Sequence, residues 1–260
     1  ILPFYSLIGG WVMKYAAVYF MGQTDTAAAD GFFSGFTSLT VEPILWTLLF
    51  VALACIVVVF GVEKGIERAN KILMPTLIVM LIGLTAYCLS LPGGMDGLWY
   101  YIYPDISKFS AETVLAAMGQ VFYSLTLGFG VMITYGSYLA KKTDMEKSVR
   151  TIEIFDTGVA FLAGLLIIPA VFVFSGGSPE ALGAGPGLMF QALPKVFAMM
   201  PFGSAVAAIF FVLVAVAALT SCICFAWGSG CVAGGRGWVV REKDTVSFLQ
   251  LEAPAVRRVC

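Results

Sequence analysis

The sequence contains no histidine, and only 12% of its 260 residues are charged. The absence of histidine excludes serine–histidine nucleophile pairs and zinc hydrolases of the HExxH type, which argues against an enzyme. The net charge is −1 and no basic stripe or RNA-reading motif is present, so no nucleic-acid partner is expected. No signal peptide is visible, and the chain begins at Ile1 within a hydrophobic segment, from which we expect a fragment.

Apolar residues dominate what is present: 60% of the chain is hydrophobic and the mean hydropathy is +0.93. This composition predicts an all-α, polytopic membrane protein. We predict a membrane domain over residues 1–223 and an atypical tail over residues 224–260, the latter either genuinely divergent, frame-shifted or truncated. The six predicted spans are approximately residues 1–20, 43–62, 72–95, 113–140, 152–174 and 204–223. Within the tail, five closely spaced glycines argue against a regular helix: Gly228, Gly230, Gly234, Gly235 and Gly237.

Loop charge predicts the orientation of these spans. The loops after the second and fourth spans hold seven Lys or Arg residues (three plus four), whereas the loops after the first, third and fifth hold two. The positive-inside rule therefore predicts that these two loops lie in the cytoplasm. We expect a multi-pass protein of the cell inner (plasma) membrane.

The fourth predicted span is poorly suited to an uninterrupted helix. Ser124, Thr126, Gly128 and Gly130 cluster at its centre, and glycine costs about 1 kcal/mol relative to alanine in a helix interior. A broken membrane helix presents backbone groups to a cation or a substrate. The alternative is a kink or a Gly-x-Gly packing device, and the sequence leaves both open.

Asp156 lies inside the fifth predicted span, where a carboxylate costs about 2.5–3.5 kcal/mol on insertion scales and is a functional candidate. Alternatively, it reaches the cytoplasmic interface, since Arg150 is about two turns away. Four hydroxyl residues lie at mid-span positions, namely Ser124, Thr126, Thr220 and Ser221. Oxygen ligands suit a hard cation such as Na⁺, although such hydroxyls commonly bond carbonyl groups of their own helix.

Four motifs carry a family resemblance: FGVEKGIERANKILMPTL, GQVFYSLTLGFGVMITYGSYL, GPGLMFQALPKVF and VAALTS. Over roughly residues 1–222, the chain resembles the bacterial branch of the neurotransmitter:sodium symporter family, the sodium-dependent amino-acid transporters. The resemblance implies twelve membrane helices, ten of them in two inverted five-helix repeats. This chain would hold the third to eighth helices, a partial inverted-repeat symporter fold with a broken (unwound) central helix.

The resemblance also implies a set of site residues. Those expected at the substrate are Ile1, Tyr5, Tyr123, Ser124, Thr126 and Phe129. The first sodium would contact Ser124 and Asp156, and the second would contact Ala217 (through its carbonyl), Thr220 and Ser221. In the family, the unwound first helix supplies further ligands. It is not among the matched helices, so both sodium sites are expected to be incomplete in this chain.

Asp156 stands where relatives carry an asparagine, and it adds a fixed negative charge. Relatives that need chloride use a glutamine, which matches Gln120, and a serine, whose position here is Ala160. We therefore expect that chloride is not required.

Together these features predict part of a sodium-coupled symporter that moves an amino acid or related small amine by alternating access. Its expected partners are the substrate, sodium ions and the lipid bilayer. The alternatives are a non-transporting membrane fragment or assembly subunit, a symporter for another small organic solute, a channel and, least favoured, an intramembrane hydrolase.

Overall fold

The computed structural model describes residues 2–59, 63–103, 109–128, 144–176 and 185–234, and every regular element in these ranges is helical. The predicted all-α class is therefore confirmed for them. In chain order the helices are α1 (Leu2–Phe20), α2 (Thr24–Ala28), α3 (Phe32–Ser38), α4 (Val41–Val59), α5 (Glu63–Ser90), α6 (Gly94–Ile102), α7 (Ala111–Ser124), α8 (Met145–Ser175), α9 (Gly187–Met199) and α10 (Gly203–Gly234).

Within the described residues, three helical segments are long and apolar enough to cross a membrane. They are Lys71–Ser90 of α5, the whole of α8, and Gly203–Ile223 of α10. A fourth is possible if α3 and α4, which meet at an angle of 87°, count as one bent span. The third predicted span was extended too far, because α5 ends at Ser90. Pro92 disfavours helical backbone at Leu91, and a left-handed Gly93 follows.

Helix α1 forms where the first span is predicted, yet it is not among these three segments. Lys14 and three tyrosines lower its hydropathy. It is instead deeply buried against α4 and α10, and Val12 and Tyr15 have no exposed surface. The amine of Lys14 pairs with the Glu42 carboxylate of α4 at 2.5 Å, so its charge is partnered by a neighbouring helix.

Segments that the sequence presents as connecting loops contain four of the helices. Residues 23–40 hold α2 and α3, residues 96–112 hold most of α6, and residues 176–203 hold α9. Helix α9 packs against α2, α8 and α10, which agrees with the helical spacing of its sequence. The Lys195 ammonium of α9 pairs with the Asp30 carboxylate at 2.5 Å and holds the pKa of that carboxyl below its usual value.

The expectation that regular helix ends near residue 223 is wrong for the next eleven residues, because α10 continues to Gly234. Gly228 and Gly230 lie within it. In an apolar environment the helical hydrogen bonds of the backbone have no replacement partner, and this constraint outweighs the propensity cost of each glycine. The remaining part of the predicted tail, residues 235–260, lies outside the described residues.

Small residues allow α1 to approach α4 closely. A Cβ on Gly10 would lie 2.7 Å from the Thr47 nitrogen and 2.8 Å from its Cα. A Cβ on Gly9 would lie 2.5 Å from the ring of Phe50. Because protein interiors are close-packed, a larger residue requires movement of the Thr47 backbone at Gly10 and of the Phe50 ring at Gly9.

We expect Gly10→Ala to lower the stability of the protein by about 1–3 kcal/mol, because the added methyl group meets backbone atoms of α4. The measurement is thermal unfolding of the purified protein in detergent. Gly83→Ala in α5 is the matched control, since no heavy atom lies within 4 Å of its added Cβ. The control should be neutral or stabilising by up to about 1 kcal/mol. Equal effects of the two substitutions would contradict the packing argument.

Candidate functional site

Helix α7 ends at the predicted break. The Thr126 amide donates to the Tyr123 carbonyl at 3.2 Å, and the Leu127 amide donates to the Phe122 carbonyl at 2.9 Å. This pair of bonds is the Schellman arrangement, in which the residue after the C-cap adopts a left-handed conformation. That residue is Thr126, with φ of 53°. The interruption of the fourth predicted span is thereby confirmed up to Gly128, beyond which residues 129–143 are not described.

A β-branched residue at this φ is unusual. The left-handed conformation costs an L-residue roughly 1–2 kcal/mol, and glycine is the usual occupant of this position. Strain of this kind persists only where the surrounding structure demands it, and it concentrates at functional sites.

The Ser124 hydroxyl, at the last residue of α7, donates a hydrogen bond to the Asp156 carboxylate of α8 at 2.6 Å. The two residues assigned to the first sodium by resemblance are thus in direct contact, although 32 positions separate them. The partner of Asp156 is therefore a hydroxyl at the helix break.

Helix α1 brings a third side chain to this place. The Tyr5 hydroxyl of α1 lies within electrostatic range of the Asp156 carboxylate, and the Tyr123 hydroxyl of α7 lies within range of the Tyr5 hydroxyl. Four of the predicted residues, from three helices, therefore lie at one site: Tyr5, Tyr123, Ser124 and Asp156. Thr126 adjoins them in the turn, whereas Ile1 and Phe129 lie outside the described residues.

A second group of oxygen atoms lies on α10. The Thr220 and Ser221 hydroxyls donate to the Ala217 carbonyl at 2.9 and 3.1 Å. These are the three positions assigned to the second sodium, and the bonds between them are the local kind that the alternative interpretation predicts. The same bonds hold three oxygen atoms close together, and each hydroxyl has lone pairs free to turn towards a cation.

The two groups are connected through α1 by residues that the sequence analysis did not single out. Ser6, next to Tyr5, lies 3.7 Å (Oγ to Sγ) from Cys222, which follows Ser221. No local signal in the sequence indicates this contact, because 216 positions separate the two residues.

The outer faces of α7 and α8 are open at the site. None of the residues of α7 is buried, and a Cβ added to Gly119 or Gly158 would meet no atom within 4 Å. Gln120 and Ala160, the positions compared with a chloride site, are exposed on these helices. Within the described residues, the carboxylate and hydroxyl oxygens thus stand on helices with few protein neighbours.

A helix that breaks beside a carboxylate of a neighbouring helix is an arrangement found in membrane transporters. The fold matches the crystal structure of MhsT in complex with L-phenylalanine, with a TM-score of 0.88 and 37% sequence identity over 99% of this chain and 59% of that one. The sequence model of the sodium:neurotransmitter symporter family matches residues 32–233. The chain belongs to that family, as the motifs predict.

Curated relatives agree with this assignment. A sodium-dependent transporter of Haemophilus influenzae is 40% identical over 230 residues, covering 86% of this chain and 50% of the relative. The sodium-dependent transporter YhdH of Bacillus subtilis is 39% identical over 224 residues, covering 85% and 49%. The human sodium- and chloride-dependent creatine transporter 1 is 30% identical over 185 residues, covering 68% and 29%. The chain therefore spans about half the length of the bacterial relatives.

The family match corrects one boundary. The sequence motifs predict that the resemblance ends near residue 222, whereas the family match reaches residue 233 and α10 reaches Gly234. The hypothesis of an aberrant or frame-shifted end therefore applies only to the residues that follow.

We expect Thr126→Gly to raise stability by about 1 kcal/mol, because glycine adopts the left-handed conformation without the clash of a β-carbon. Thermal unfolding in detergent measures the change. Thr76→Gly is the matched control: Thr76 is an exposed threonine within α5, where glycine should lower stability. A loss of stability on Thr126→Gly would show that the turn is not strained.

Proposed function

We propose that this chain forms part of a sodium-coupled symporter that carries an amino acid across the inner (plasma) membrane by alternating access. The hydrogen bond between Ser124 and Asp156 at the end of a broken helix carries the proposal. The bond joins a carboxylate and a hydroxyl oxygen at the point where the backbone leaves the helix. Family membership supports sodium as the coupling ion.

The donor set fits sodium. A hard monovalent cation prefers oxygen ligands, and a carboxylate supplies the charge that offsets dehydration. Ser124 and Asp156 would hold one ion. The Ala217 carbonyl with the Thr220 and Ser221 hydroxyls would hold a second. Both sets are small for a complete coordination shell, so further ligands from outside these residues belong to the proposal.

The substrate would bind beside the first sodium. Tyr5 presents a hydroxyl that can donate to a substrate carboxylate, and Tyr123 presents an aromatic ring from α7. Thr126 in the turn would limit the space for the substrate side chain, and Ile1 and Phe129 remain predicted pocket residues. The phenylalanine bound by MhsT favours an amino acid.

A second candidate is a symporter for another small organic solute. The relatives that transport creatine and taurine favour this reading, since both solutes are small, polar and zwitterionic. The same sodium sites would serve either class of substrate, so the substrate-binding pocket decides which solute is carried.

An uptake assay in proteoliposomes distinguishes these candidates. It uses the protein expressed from its complete gene and tests the twenty amino acids, creatine and taurine. We expect uptake of at least one amino acid with an inward sodium gradient and none with potassium. We further expect Asp156→Asn to raise the half-saturating sodium concentration by at least about tenfold, because a fixed charge beside the cation is lost.

Glu153→Gln is the matched control. Glu153 is an exposed carboxylate one turn earlier on α8, and its change to an amide should leave the half-saturating sodium concentration unaltered. Uptake of creatine or taurine alone would favour the second candidate. Uptake of no solute, with or without sodium, would leave the non-transporting fragment or assembly subunit as the better account.

We also propose that transport does not need chloride, because Asp156 supplies the negative charge beside the first sodium. Replacement of chloride by gluconate at constant sodium should therefore leave the initial uptake rate unchanged. The control is the same exchange with the Asp156→Asn variant, whose residual uptake we expect to depend more on the anion. Abolition of uptake by gluconate in the unmodified protein would contradict the proposal.

A further inference from the structure

Ser6 of α1 and Cys222 of α10 form a buried polar contact between two helices. Neither residue has exposed surface, and the Ser6 Oγ lies 3.7 Å from the Cys222 Sγ. This separation is within hydrogen-bond range for sulfur, which is a larger atom than oxygen. The contact lies beside a small apolar cluster that includes Phe50 and Leu219, so water does not compete for it.

The direction of the bond follows from the other contact of Ser6. Its hydroxyl also donates to the Leu2 carbonyl at 3.0 Å. A serine hydroxyl has a single proton, which is used in that bond, and its lone pairs remain as acceptors. The Ser6 oxygen therefore remains an acceptor for the Cys222 thiol, and the Ser6 side chain links Cys222 of α10 to the Leu2 carbonyl of α1.

The Ser6–Cys222 contact connects the residues of both proposed sites. Ser6 follows Tyr5, whose hydroxyl lies within electrostatic range of Asp156, and Cys222 follows Ser221 of the second sodium group. Since α1 and α10 pack along each other extensively, apolar contacts alone would permit small rotations and slides. A hydrogen bond at one point fixes the rotation of α10 against α1, and with it the position of the Ala217, Thr220 and Ser221 oxygens.

We propose that Ser6 and Cys222 are positioning residues for the second sodium: their hydrogen bond holds the α10 oxygens in the arrangement that binds the ion. The inference rests on the proposed function. A positioning role differs from a purely structural one in its consequence: loss of the hydrogen bond changes sodium affinity in addition to the stability of the fold.

The test is thermal unfolding of the protein expressed from its complete gene, in detergent, as sodium chloride replaces potassium chloride at constant ionic strength. Sodium alone is the probe. We expect Ser6→Ala and Cys222→Ala each to raise the sodium concentration for half-maximal stabilisation by about three- to tenfold. The double variant should show no larger shift than either single variant, because both substitutions break the same bond. Cys222→Ser, which keeps a donor, should stay within about twofold of the unmodified protein.

Cys88→Ala is the matched control, since Cys88 is an equally buried thiol on α5. It should lower the unfolding temperature in potassium without moving the sodium midpoint. Three results would each overturn the inference while the proposed function stands. The sodium midpoint could shift no more in Ser6→Ala and Cys222→Ala than in Cys88→Ala. The shifts could be additive in the double variant, or Cys222→Ser could fail to restore the midpoint. Absence of any sodium-dependent stabilisation in the unmodified protein would instead overturn the proposed function, and this inference with it.

Discussion

The structure depends on the close packing of α1 between α4 and α10. Gly9 and Gly10 bring its backbone against Phe50 and Thr47, where no larger side chain fits. In lipid, apolar side chains gain little by leaving their surroundings, so helices associate through such close van der Waals contact. Because α1 is held in this way, Tyr5 has a fixed position from which to face the side chains of α7 and α8.

A second constraint acts on the backbone of α7. A helix that stops inside a membrane must satisfy its last carbonyl groups, and the turn through Thr126 does so with two hydrogen bonds. The turn imposes a left-handed conformation on a threonine. The turn also fixes the position of Ser124, whose hydroxyl donates a hydrogen bond to the Asp156 carboxylate at the end of the helix. Backbone strain and the assembly of polar groups thus occur within three residues of each other.

The sequence indicates those parts of the molecule that have local signals. Long apolar runs identify α8 and most of α5 and α10, and the cluster around Gly128 identifies the break. The proximity of Ser124 and Asp156 could be predicted only through the family resemblance, since no spacing rule links a helix end to a residue 32 positions later. The short helices α2, α3 and α6 were missed because their few turns are held by tertiary contacts with longer helices, and local periodicity in such short segments is weak.

The distribution of burial divides the described residues into two parts with different physical properties. Around α1, stacked aromatic rings of Tyr15, Tyr19 and Phe211 join the helix to α10, and the Tyr15 hydroxyl bonds the Phe190 carbonyl of α9. Helix α7, in contrast, has no buried residue. Within the described residues, the site therefore joins a close-packed helix to a helix with few packed neighbours, and the core around α1 fixes the position of Tyr5 but not that of Ser124.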